Sequence, residues 1–351
     1  MPLRGRAADL ALAGGAVVVV VLLLAAVEGI LRTAAPAALR RGPAGHPHVY
    51  SETYGWDLRP GARYQGRSGE WITVNRDGYR GRPHSPSPGP GVTRVVLLGD
   101  SITFGTGVAD DVVFSSILES AHPRLEAVNL AVDGYGTDQA FLKLRGPGLG
   151  HAPHAVVLNV CVRNDAYDNG LPVALYDGRS PKPYFTLEGG ALRLHDGHLR
   201  LDRRRRLAVR VRERSYLVNA LLQPFEAPLA APAGEGPEPA DWAQRRAALQ
   251  SRMPELLRLT RRLVEEVAVT CRTRGIRLLL LLHPDRRAFQ EGSEVTAALA
   301  AMPGLETVDL AAEYRRQGLS YEEMTIDGIG HLGRRGHEVV AALIASRLER
   351  R

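Results

Sequence analysis

The run VVLLGDSITFG, Val95–Gly105, carries the strongest structural signal in this chain of 351 residues. Val95–Leu98 is continuously apolar, which is typical of a strand buried on both faces of a parallel sheet. The run leads directly into Gly99, Asp100 and Ser101. Because ligands bind at the carboxyl ends of the strands in open parallel sheets, this arrangement predicts that Ser101 lies where chemistry takes place.

Short apolar runs alternate with longer helical patterns from this point to the C-terminal end. Such alternation is typical of a parallel sheet flanked by helices, so the sequence predicts an α/β fold. The predicted strands are Arg94–Leu98, Leu125–Leu130, Ala155–Cys161, Ile276–Leu282 and Leu305–Asp309. The predicted helices are Val113–Ala121, Asp138–Leu144, Trp242–Arg274, Asp285–Ala301 and Arg334–Leu348.

The amino-terminal region contains a long uncharged run, LALAGGAVVVVVLLLAAV, over Leu10–Val27. Residues 10–31 have the length of a helix that crosses the hydrocarbon core of a bilayer, so we predict a transmembrane helix or signal anchor there. A cleaved secretory signal is the alternative, because Arg4 and Arg6 precede the run. The run is longer than the apolar core of such signals, which is about 7 to 15 residues. Arginines on both sides leave the membrane orientation open.

Composition divides the rest of the chain. Residues 1–9 are predicted to form a tail, residues 32–92 a tether and a small β element, and residues 93–351 the main domain. A long insertion at about 166–240 contains the tract RLDRRRRLAVRVRER, Arg200–Arg214. We interpret this tract either as a basic helix facing anionic lipid or a polyanionic substrate, or as a solvated charged surface.

The net charge of +7 comes almost entirely from arginine, because Lys143 and Lys182 are the two lysines. The basic residues are not interleaved with aromatic stacking positions, so we predict no nucleic-acid partner. Cys161 and Cys271 lie far apart, in or beside apolar stretches, which predicts buried free thiols. The sequence has neither the ligand spacing of a zinc site nor a glycine-rich phosphate loop, so neither a metal nor a cofactor is predicted.

A serine hydroxyl is a weak nucleophile at neutral pH, so Ser101 needs a base, usually an imidazole oriented by a carboxylate. The C-terminal segment IDGIGHLGRRGHEVV supplies Asp327, His331 and His337. His331 lies in a glycine-rich loop, from which its ring can reach another strand end. His337 falls inside a predicted helix and is interpreted as a surface or packing residue. Asp327 is the residue expected to orient the His331 ring.

Acyl transfer also requires hydrogen-bond donors for a developing oxyanion. In NLAVDGYGTDQ, Asn129–Gln139, Gly134 allows a backbone N–H to approach a substrate without a side chain in the way. In NVCVRND, Asn159–Asp165, Asn164 has a side-chain amide that can donate directly. Each loop alone is compatible with an ordinary turn, but several such loops in order, most of them after a predicted strand, indicate a shared site.

These segments resemble the four sequence blocks of the SGNH/GDSL hydrolases over about residues 93–348. The matching residues are Gly99–Ser101, Gly134, Asn164 with Asp165, and the late pair Asp327 and His331. The resemblance implies a flavodoxin-like three-layer α/β/α sandwich with a central parallel sheet.

The roles that the resemblance implies are those of a serine hydrolase. Ser101 is then the nucleophile and His331 the base, oriented by Asp327. The implied oxyanion donors are the Ser101 amide, the Gly134 amide and the Asn164 side chain. VNRDGYRGRP, at Val74–Pro83, is similar to an upstream segment of membrane-anchored bacterial members. That similarity implies a single-pass protein of the cell membrane with an extracytoplasmic catalytic domain.

The spacing of the late acid and histidine departs from the family pattern. Family members usually place the aspartate three residues before the histidine, where this chain has Gly328. Asp327 lies four residues before His331. A one-residue bulge would restore the geometry. Otherwise the site would work as a Ser-His dyad or be impaired.

The sequence therefore predicts a membrane-anchored serine esterase that hydrolyses acyl esters of a glycan or a lipid, with acetyl on envelope carbohydrate as one candidate group. One alternative is an O-acyltransferase that acts on cell-envelope polysaccharide. A second is a non-catalytic glycan-binding protein with the same fold. A lipase or thioesterase is a third, and the insertion at 166–240 would then act as a lid.

Overall fold

The computed structural model of the protein describes residues 3–34, 47–66, 69–222 and 240–349. Most of the predicted tether after the apolar helix lies outside the described residues. By its internal contacts the chain forms two units. The smaller unit comprises residues 1–46 and 201–229, and the larger comprises residues 47–200 and 230–351.

The larger unit is built on a five-stranded parallel sheet. In chain order, the described strands are β1 (His48–Ser51), β2 (Gly55–Leu58), β3 (Arg63–Gln65), β4 (Trp71–Thr73), β5 (Thr93–Leu98), β6 (Leu125–Asn129), β7 (Ala155–Cys161), β8 (Tyr184–Glu188), β9 (Ala191–His195), β10 (Arg277–His283) and β11 (Glu306–Asp309). The strand order in the parallel sheet is β11-β10-β7-β5-β6. The remaining described strands form three antiparallel pairs, β1-β2, β3-β4 and β8-β9.

Helices follow most strands of the parallel sheet. In chain order the described α-helices are α1 (Leu3–Ala34), α2 (Ser101–Phe104), α3 (Phe114–Ala121), α4 (Thr137–Lys143), α5 (Asp165–Asp168), α6 (Arg203–Arg212), α7 (Tyr216–Leu222), α8 (Ala240–Leu249), α9 (Met253–Arg272), α10 (Arg286–Glu291), α11 (Glu294–Ala300), α12 (Leu310–Arg316), α13 (Tyr321–Met324) and α14 (Arg334–Glu349). The helices α1, α6 and α7 belong to the smaller unit, and the others to the larger.

Successive side chains of β5 enter two different hydrophobic cores. Val96 and Leu98 pack with α4, α9 and α11 on one face of the sheet, and Val95 and Leu97 pack with α3, α12 and α14 on the other. All four side chains are fully buried. Each such burial is worth about 1.5–3 kcal/mol, so these four positions favour apolar side chains strongly. The predicted α/β class, the parallel sheet and all five predicted strands are confirmed.

Two of the predicted helices are each divided in the structure. The prediction of one continuous helix over Trp242–Arg274 is wrong, because a 3-10 turn at Gln250–Arg252 separates α8 from α9. The prediction over Asp285–Ala301 is wrong for a different reason. Ser293 has extended backbone and its side chain accepts hydrogen bonds from the amides of Val295 and Thr296, which begins a new helix.

The predicted small β element comprises β1 to β4. Its Trp56, Leu58, Ile72 and Val74 form a core with residues that follow β5 and β6, among them Phe104. The element therefore packs against the loops at the carboxyl ends of two neighbouring strands, β5 and the edge strand β6.

The insertion contributes the β8-β9 hairpin to the larger unit. Phe185 of β8 packs against Phe141 of α4, with ring centroids 6.0 Å apart. The basic tract does contain a helix, α6, and this part of the insertion belongs to the smaller unit.

Helix α1 forms much of the smaller unit. Its stretch Leu12–Thr33 is long and apolar enough to cross a membrane, with a mean hydropathy of 2.5 over its most apolar part. None of that part is buried by other residues that the structure describes.

Both lysines of the chain are buried against carboxylates. Lys143 Nζ lies 2.7 and 2.8 Å from the two carboxylate oxygens of Asp57. Lys182 Nζ donates to the Asp138 carboxylate and to the carbonyl of Asp168, and neither side chain of the Lys182–Asp138 pair is exposed to solvent. Burial raises the pKa of Asp138, and the neighbouring Lys182 ammonium opposes that rise.

Replacing Lys182 by Met is expected to destabilise the larger unit by about 3–5 kcal/mol at pH 7, because the Asp138 carboxylate is left buried without its cation. Loss of the ammonium raises the Asp138 pKa further, so the carboxyl takes up a proton in the folded state and the penalty shrinks as the pH falls. Urea unfolding of the full chain in detergent, followed by tryptophan fluorescence, measures both effects.

Arg193→Met is the matched control, because the Arg193–Glu188 pair is more than half exposed. It should change the free energy of unfolding by about 1 kcal/mol or less. Equal losses in the two variants would contradict a special role for the buried pair.

Candidate active site

Ser101 follows a sharp turn between β5 and α2. Gly99 has φ +153°, and a Cβ on it would lie 2.5 Å from Oγ1 of Thr103 and 3.0 Å from the carbonyl oxygen of Asn159. A side chain is therefore excluded at Gly99. Asp100 caps α2 by accepting a hydrogen bond of 3.0 Å from the amide of Ile102. The turn leaves Ser101 at the first position of α2, half-buried.

The structure brings Ser101, His331 and Asp327 into one hydrogen-bonded chain. His331 Nε2 lies 2.8 Å from Ser101 Oγ, and His331 Nδ1 lies 2.5 Å from Asp327 Oδ2. A neutral imidazole protonated on Nδ1 donates to the carboxylate and accepts from the serine hydroxyl. The His331 and Asp327 side chains are only 6% and 12% exposed, so little water competes for these bonds.

The other carboxylate oxygen of Asp327 organises the loop that carries His331. Oδ1 accepts hydrogen bonds from the amides of Ile329, Gly330 and His331, at 3.0, 3.0 and 3.1 Å. The amide of Ile326 donates to the carbonyl of His331 at 2.8 Å and closes the loop. The loop accommodates the extra residue between Asp327 and His331, so the two side chains are in direct contact despite the four-residue spacing.

The two partners of this pair shift each other's ionisation. Burial opposes the charged form of Asp327, but the hydrogen bond and charge of His331, with the backbone donors, lower the Asp327 pKa to about 2. Burial also opposes the charged form of His331. The Asp327 carboxylate outweighs it and raises the His331 pKa above 6.5, and Asp100 and Asp133 add smaller effects in the same direction.

Two further histidines, His283 and His337, lie near the loop that carries His331 and make hydrogen bonds to the backbone. His283, at the end of β10, donates from Nε2 to the carbonyl of Gly330 at 2.8 Å, and burial lowers its pKa to about 4. A neutral His283 therefore supports the loop that presents His331. His337 is fully buried in α14 and its Nδ1 accepts from the amide of Phe114 at 3.2 Å. His337 is a packing residue, one of the two roles predicted for it.

The loops that contain Gly134 and Asn164 follow β6 and β7, the two neighbours of β5 in the sheet. Both loops therefore flank the Ser101 turn at the carboxyl edge. Gly134 has φ +77°, and a Cβ on it would lie 2.5 Å from the Tyr176 ring. Asn164 is half-buried, and its enclosed Oδ1 has no hydrogen-bond partner among the described residues.

Two buried carboxyl groups lie in the same region. Burial raises the pKa of Asp100 to about 6, although the Ile102 amide and His331 favour its ionised form. Burial, reinforced by Asp100, raises the pKa of Asp165 well above its usual range. The Thr137 hydroxyl donates to Asp165 at 2.8 Å. Asp165 therefore ties the loop after β7 to the start of α4.

Cys161 and Cys271 are buried free thiols in the two different cores, as predicted. Burial raises the pKa of Cys271 to about 12, so this thiol stays protonated at neutral pH. Within the described ranges, no group of three or more His, Cys, Asp or Glu side chains is arranged to hold a metal ion.

Sequence reasoning missed the role of Arg80, which lies in the small β element. Its guanidinium donates to the carbonyls of Phe104, Gly105 and Val108, and to Asp110 Oδ1 at 3.0 Å. The Arg80 side chain is only 2% exposed. Arg80 thus holds the segment that immediately follows α2, the helix that begins at Ser101. The segment VNRDGYRGRP contained the signal, but nothing in it distinguishes Arg80 from the neighbouring arginines.

Two asparagines on the strands beside β5 fix the same helix. Asn129 of β6 donates to the carbonyl of Thr103 at 2.8 Å, and Asn159 of β7 donates to the Thr103 hydroxyl at 3.0 Å. Both asparagines are buried. Arg163 restrains the loop of Asn164 in a similar way, because it pairs with Asp285 at 3.1 Å.

This arrangement supplies a hydroxyl, a base to remove its proton and a carboxylate to orient the base, which is the requirement for nucleophilic attack by serine. The flanking loops offer a backbone amide and a side-chain amide at the same sheet edge, where an oxyanion would need donors. The geometry is therefore suited to acyl transfer.

No protein-family model matches the sequence, and no curated protein matches it. Solved structures do match. The lipase/acylhydrolase from Enterococcus faecalis is 14% identical over 73% of this chain and 95% of its own, with a TM-score of 0.38. A GDSL-like lipase from Bacteroides thetaiotaomicron VPI-5482 is 12% identical over 73% and 88%, with a TM-score of 0.33. A two-domain esterase active on acetylated mannans is 12% identical over 74% and 49%, with a TM-score of 0.36.

Asp327→Asn is expected to lower the pKa of His331 from above 6.5 to below it, because burial remains while the carboxylate that favours the imidazolium is gone. NMR titration of the His331 ring measures the change. Asp133→Asn is the control and should give a smaller shift in the same direction, since its charge is a lesser cause. An unchanged His331 pKa in Asp327→Asn would show that the pair is not coupled as the geometry implies.

Arg80→Lys is expected to slow the reaction of Ser101 with a fluorophosphonate by about 10- to 100-fold. A compact ammonium with three N–H donors cannot reproduce the four contacts of the guanidinium, so α2 shifts. Arg82→Lys is the matched control, because Arg82 is exposed and pairs with Glu119. Equal labelling rates in both variants and the parent would exclude a positioning role for Arg80.

Proposed function

We propose that the larger unit is a serine esterase of the SGNH/GDSL type that hydrolyses ester-linked acyl groups. The observation that carries this proposal is the continuous contact from Ser101 Oγ through the His331 ring to Asp327, with distances of 2.8 and 2.5 Å. Residues 230 positions apart in the chain meet there, at the carboxyl edge of the sheet.

In the first step, Ser101 Oγ attacks the ester carbonyl carbon while its proton passes to Nε2 of His331. Asp327 remains ionised and stabilises the imidazolium that forms, as its low pKa requires. His331 then gives the proton to the leaving alcohol oxygen as the ester bond breaks. The products of this step are the free alcohol and an acyl group bound to Ser101.

The negative charge on the carbonyl oxygen needs donors during attack. We assign this role to the amides of Ser101 and Gly134 and to the side chain of Asn164. Positive φ at Gly134 and the position of both loops beside the Ser101 turn, after β6 and β7, support the assignment. Loss of one such donor typically costs about 100- to 1000-fold in rate.

In the second step, an acceptor hydroxyl gives its proton to Nε2 of His331 and attacks the acyl carbon. His331 then returns the proton to Ser101 Oγ as the bond between the acyl group and Ser101 breaks, which restores the free serine and the neutral base. Water as the acceptor makes the protein an esterase. A sugar hydroxyl makes it an O-acyltransferase on envelope polysaccharide, which remains the second candidate. A non-catalytic glycan-binding protein was suggested by the four-residue spacing between Asp327 and His331. The contact between these two side chains supports catalysis over that alternative.

The proposed substrates are acyl esters of glycans or lipids, with acetyl on envelope carbohydrate as the first to test. We propose further that α1 anchors the chain as a single-pass protein of the cell membrane, with the larger unit on the extracytoplasmic side. The length and apolar composition of Leu12–Thr33 support the anchor. The similarity of Val74–Pro83 to an upstream segment of membrane-anchored bacterial members supports the extracytoplasmic placement of the larger unit.

Ser101→Ala is expected to abolish hydrolysis of p-nitrophenyl acetate, with a loss of at least about 1000-fold, and to abolish fluorophosphonate labelling, because the nucleophile is gone. The matched control is Ser120→Ala, since Ser120 is exposed and its hydroxyl donates to the carbonyl of Ile117 within the same helix, α3. In the parent, the rate should fall as the pH drops through the raised His331 pKa, because only the neutral ring is a base.

Parent-like hydrolysis by Ser101→Ala would exclude Ser101 as the nucleophile. The esterase and the acyltransferase are separated in the same assay by adding acceptor glycans. Release of free acetate in their presence supports the esterase, and an acetylated glycan product supports the transferase.

A further inference from the structure

The carboxylate of Glu28 joins α1 to the start of α7 within the smaller unit. Its Oε1 accepts a hydrogen bond of 3.0 Å from the amide of Tyr216, and its Oε2 accepts bonds of 2.9 Å from the Leu217 amide and the Ser215 hydroxyl. The first amides of a helix lack partners within the helix and carry partial positive charge. Glu28 therefore caps a helix that lies almost 190 residues further along the chain.

Arg32, one turn after Glu28, strengthens this attachment. Its Nε lies 2.8 Å from Glu28 Oε1, and its Nη2 donates to the carbonyl of Arg214 at 2.8 Å. The guanidinium also lies 5.8 Å from the centre of the Tyr216 ring. Residues 214–217 are thus held against the last turns of α1.

The attachment lies close to one end of the apolar stretch. Glu28 is five residues before Thr33, where that stretch ends, which is about 7 to 8 Å along a helix axis. If α1 spans a membrane, residues 214–217 lie near a membrane boundary. Helix α6 ends at Arg212, so the C-terminal end of this basic helix lies within a few residues of that boundary.

Helix α6 has the composition of a helix that lies on an anionic membrane surface. None of its residues is buried, and Leu207 and Val211 are 62% and 44% exposed. These two side chains are four positions apart and lie on the same face. By helical spacing, Arg203 and Arg210 lie on one side of this pair and Arg204 on the other. Aliphatic side chains flanked by arginines match the acyl boundary and the phosphates of a lipid surface.

We propose that α6 binds anionic phospholipid headgroups at the membrane boundary where α1 ends, with Leu207 and Val211 entering the interface. This inference rests on the proposed membrane anchor but not on the proposed esterase chemistry. The Glu28 contact holds α6 at the surface, so its arginines meet lipid phosphates at high effective concentration.

A lipid surface fits the helix better than a soluble polyanion does. A soluble polyanion such as a nucleic acid or an acidic glycan binds basic residues mainly through its charge. Such a partner would leave the exposed side chains of Leu207 and Val211 without an apolar contact. The helix also carries no aromatic side chain for stacking on bases.

The test uses the full chain with Leu207→Cys, labelled with the environment-sensitive dye NBD and reconstituted in lipid nanodiscs. Cys161 and Cys271 are buried, so the new thiol is the one that reacts. In discs that contain phosphatidylglycerol we expect a blue-shifted NBD emission and loss of iodide quenching. In discs of phosphatidylcholine alone we expect neither. High salt should reverse the protection.

Two sets of variants test the role of charge in the same labelled chain. The triple variant Arg203→Gln, Arg204→Gln and Arg210→Gln should restore full quenching in anionic discs, because each arginine near such a surface contributes about fivefold to binding. The triple variant Arg203→Lys, Arg204→Lys and Arg210→Lys is the matched control and should keep the protection. Both replacements preserve helix propensity, so unfolding of α6 does not explain a difference.

Equal quenching in anionic and neutral discs would overturn the proposal. Protection of the dye from iodide that requires added polyphosphate, and that anionic lipid does not produce, would also overturn the proposal. The partner would then be a soluble polyanion. Failure of the chain to remain in the discs would remove the anchor and the proposal with it. Fluorophosphonate labelling of Ser101 in the same samples reports separately on the esterase.

Discussion

The covering of both faces of β5 is the constraint on which the larger unit depends. Because the side chains of Val95–Leu98 enter two cores, helices cover the sheet on both faces. Its strands are parallel, so the connections between them are crossovers that carry those helices. The carboxyl ends of β5, β6 and β7 then fall side by side at one edge. The three loops that contain Ser101, Gly134 and Asn164 are neighbours for this reason.

Within that edge, the Asp327 carboxylate performs two tasks. One oxygen holds the His331 ring and the other gathers three backbone amides, so the loop geometry and the orientation of the base depend on the same group. This dual use explains why a four-residue spacing from acid to histidine is tolerated. The spacing is set by how the loop closes, and loop closure is not visible in residue types alone.

The sequence predicted the five strands and the residues that gather at the sheet edge, because both depend on local apolar runs and on residues that follow strand ends. It did not predict the breaks at Gln250–Arg252 and Ser293, where turn and capping bonds override a helical pattern. Arg80 was also missed. It binds backbone carbonyls, which are present at every residue, so no sequence pattern identifies its partners in advance.

The enclosure of Lys143 and Lys182 has a practical consequence. Reagents that react with primary amines find no accessible lysine on the folded chain, although the chain carries a net positive charge from its arginines. Cross-linkers, dyes and solid supports that react with primary amines would therefore find little to modify beyond the amino terminus. Reaction at either lysine would instead be a sensitive indicator that the interior of the larger unit has opened.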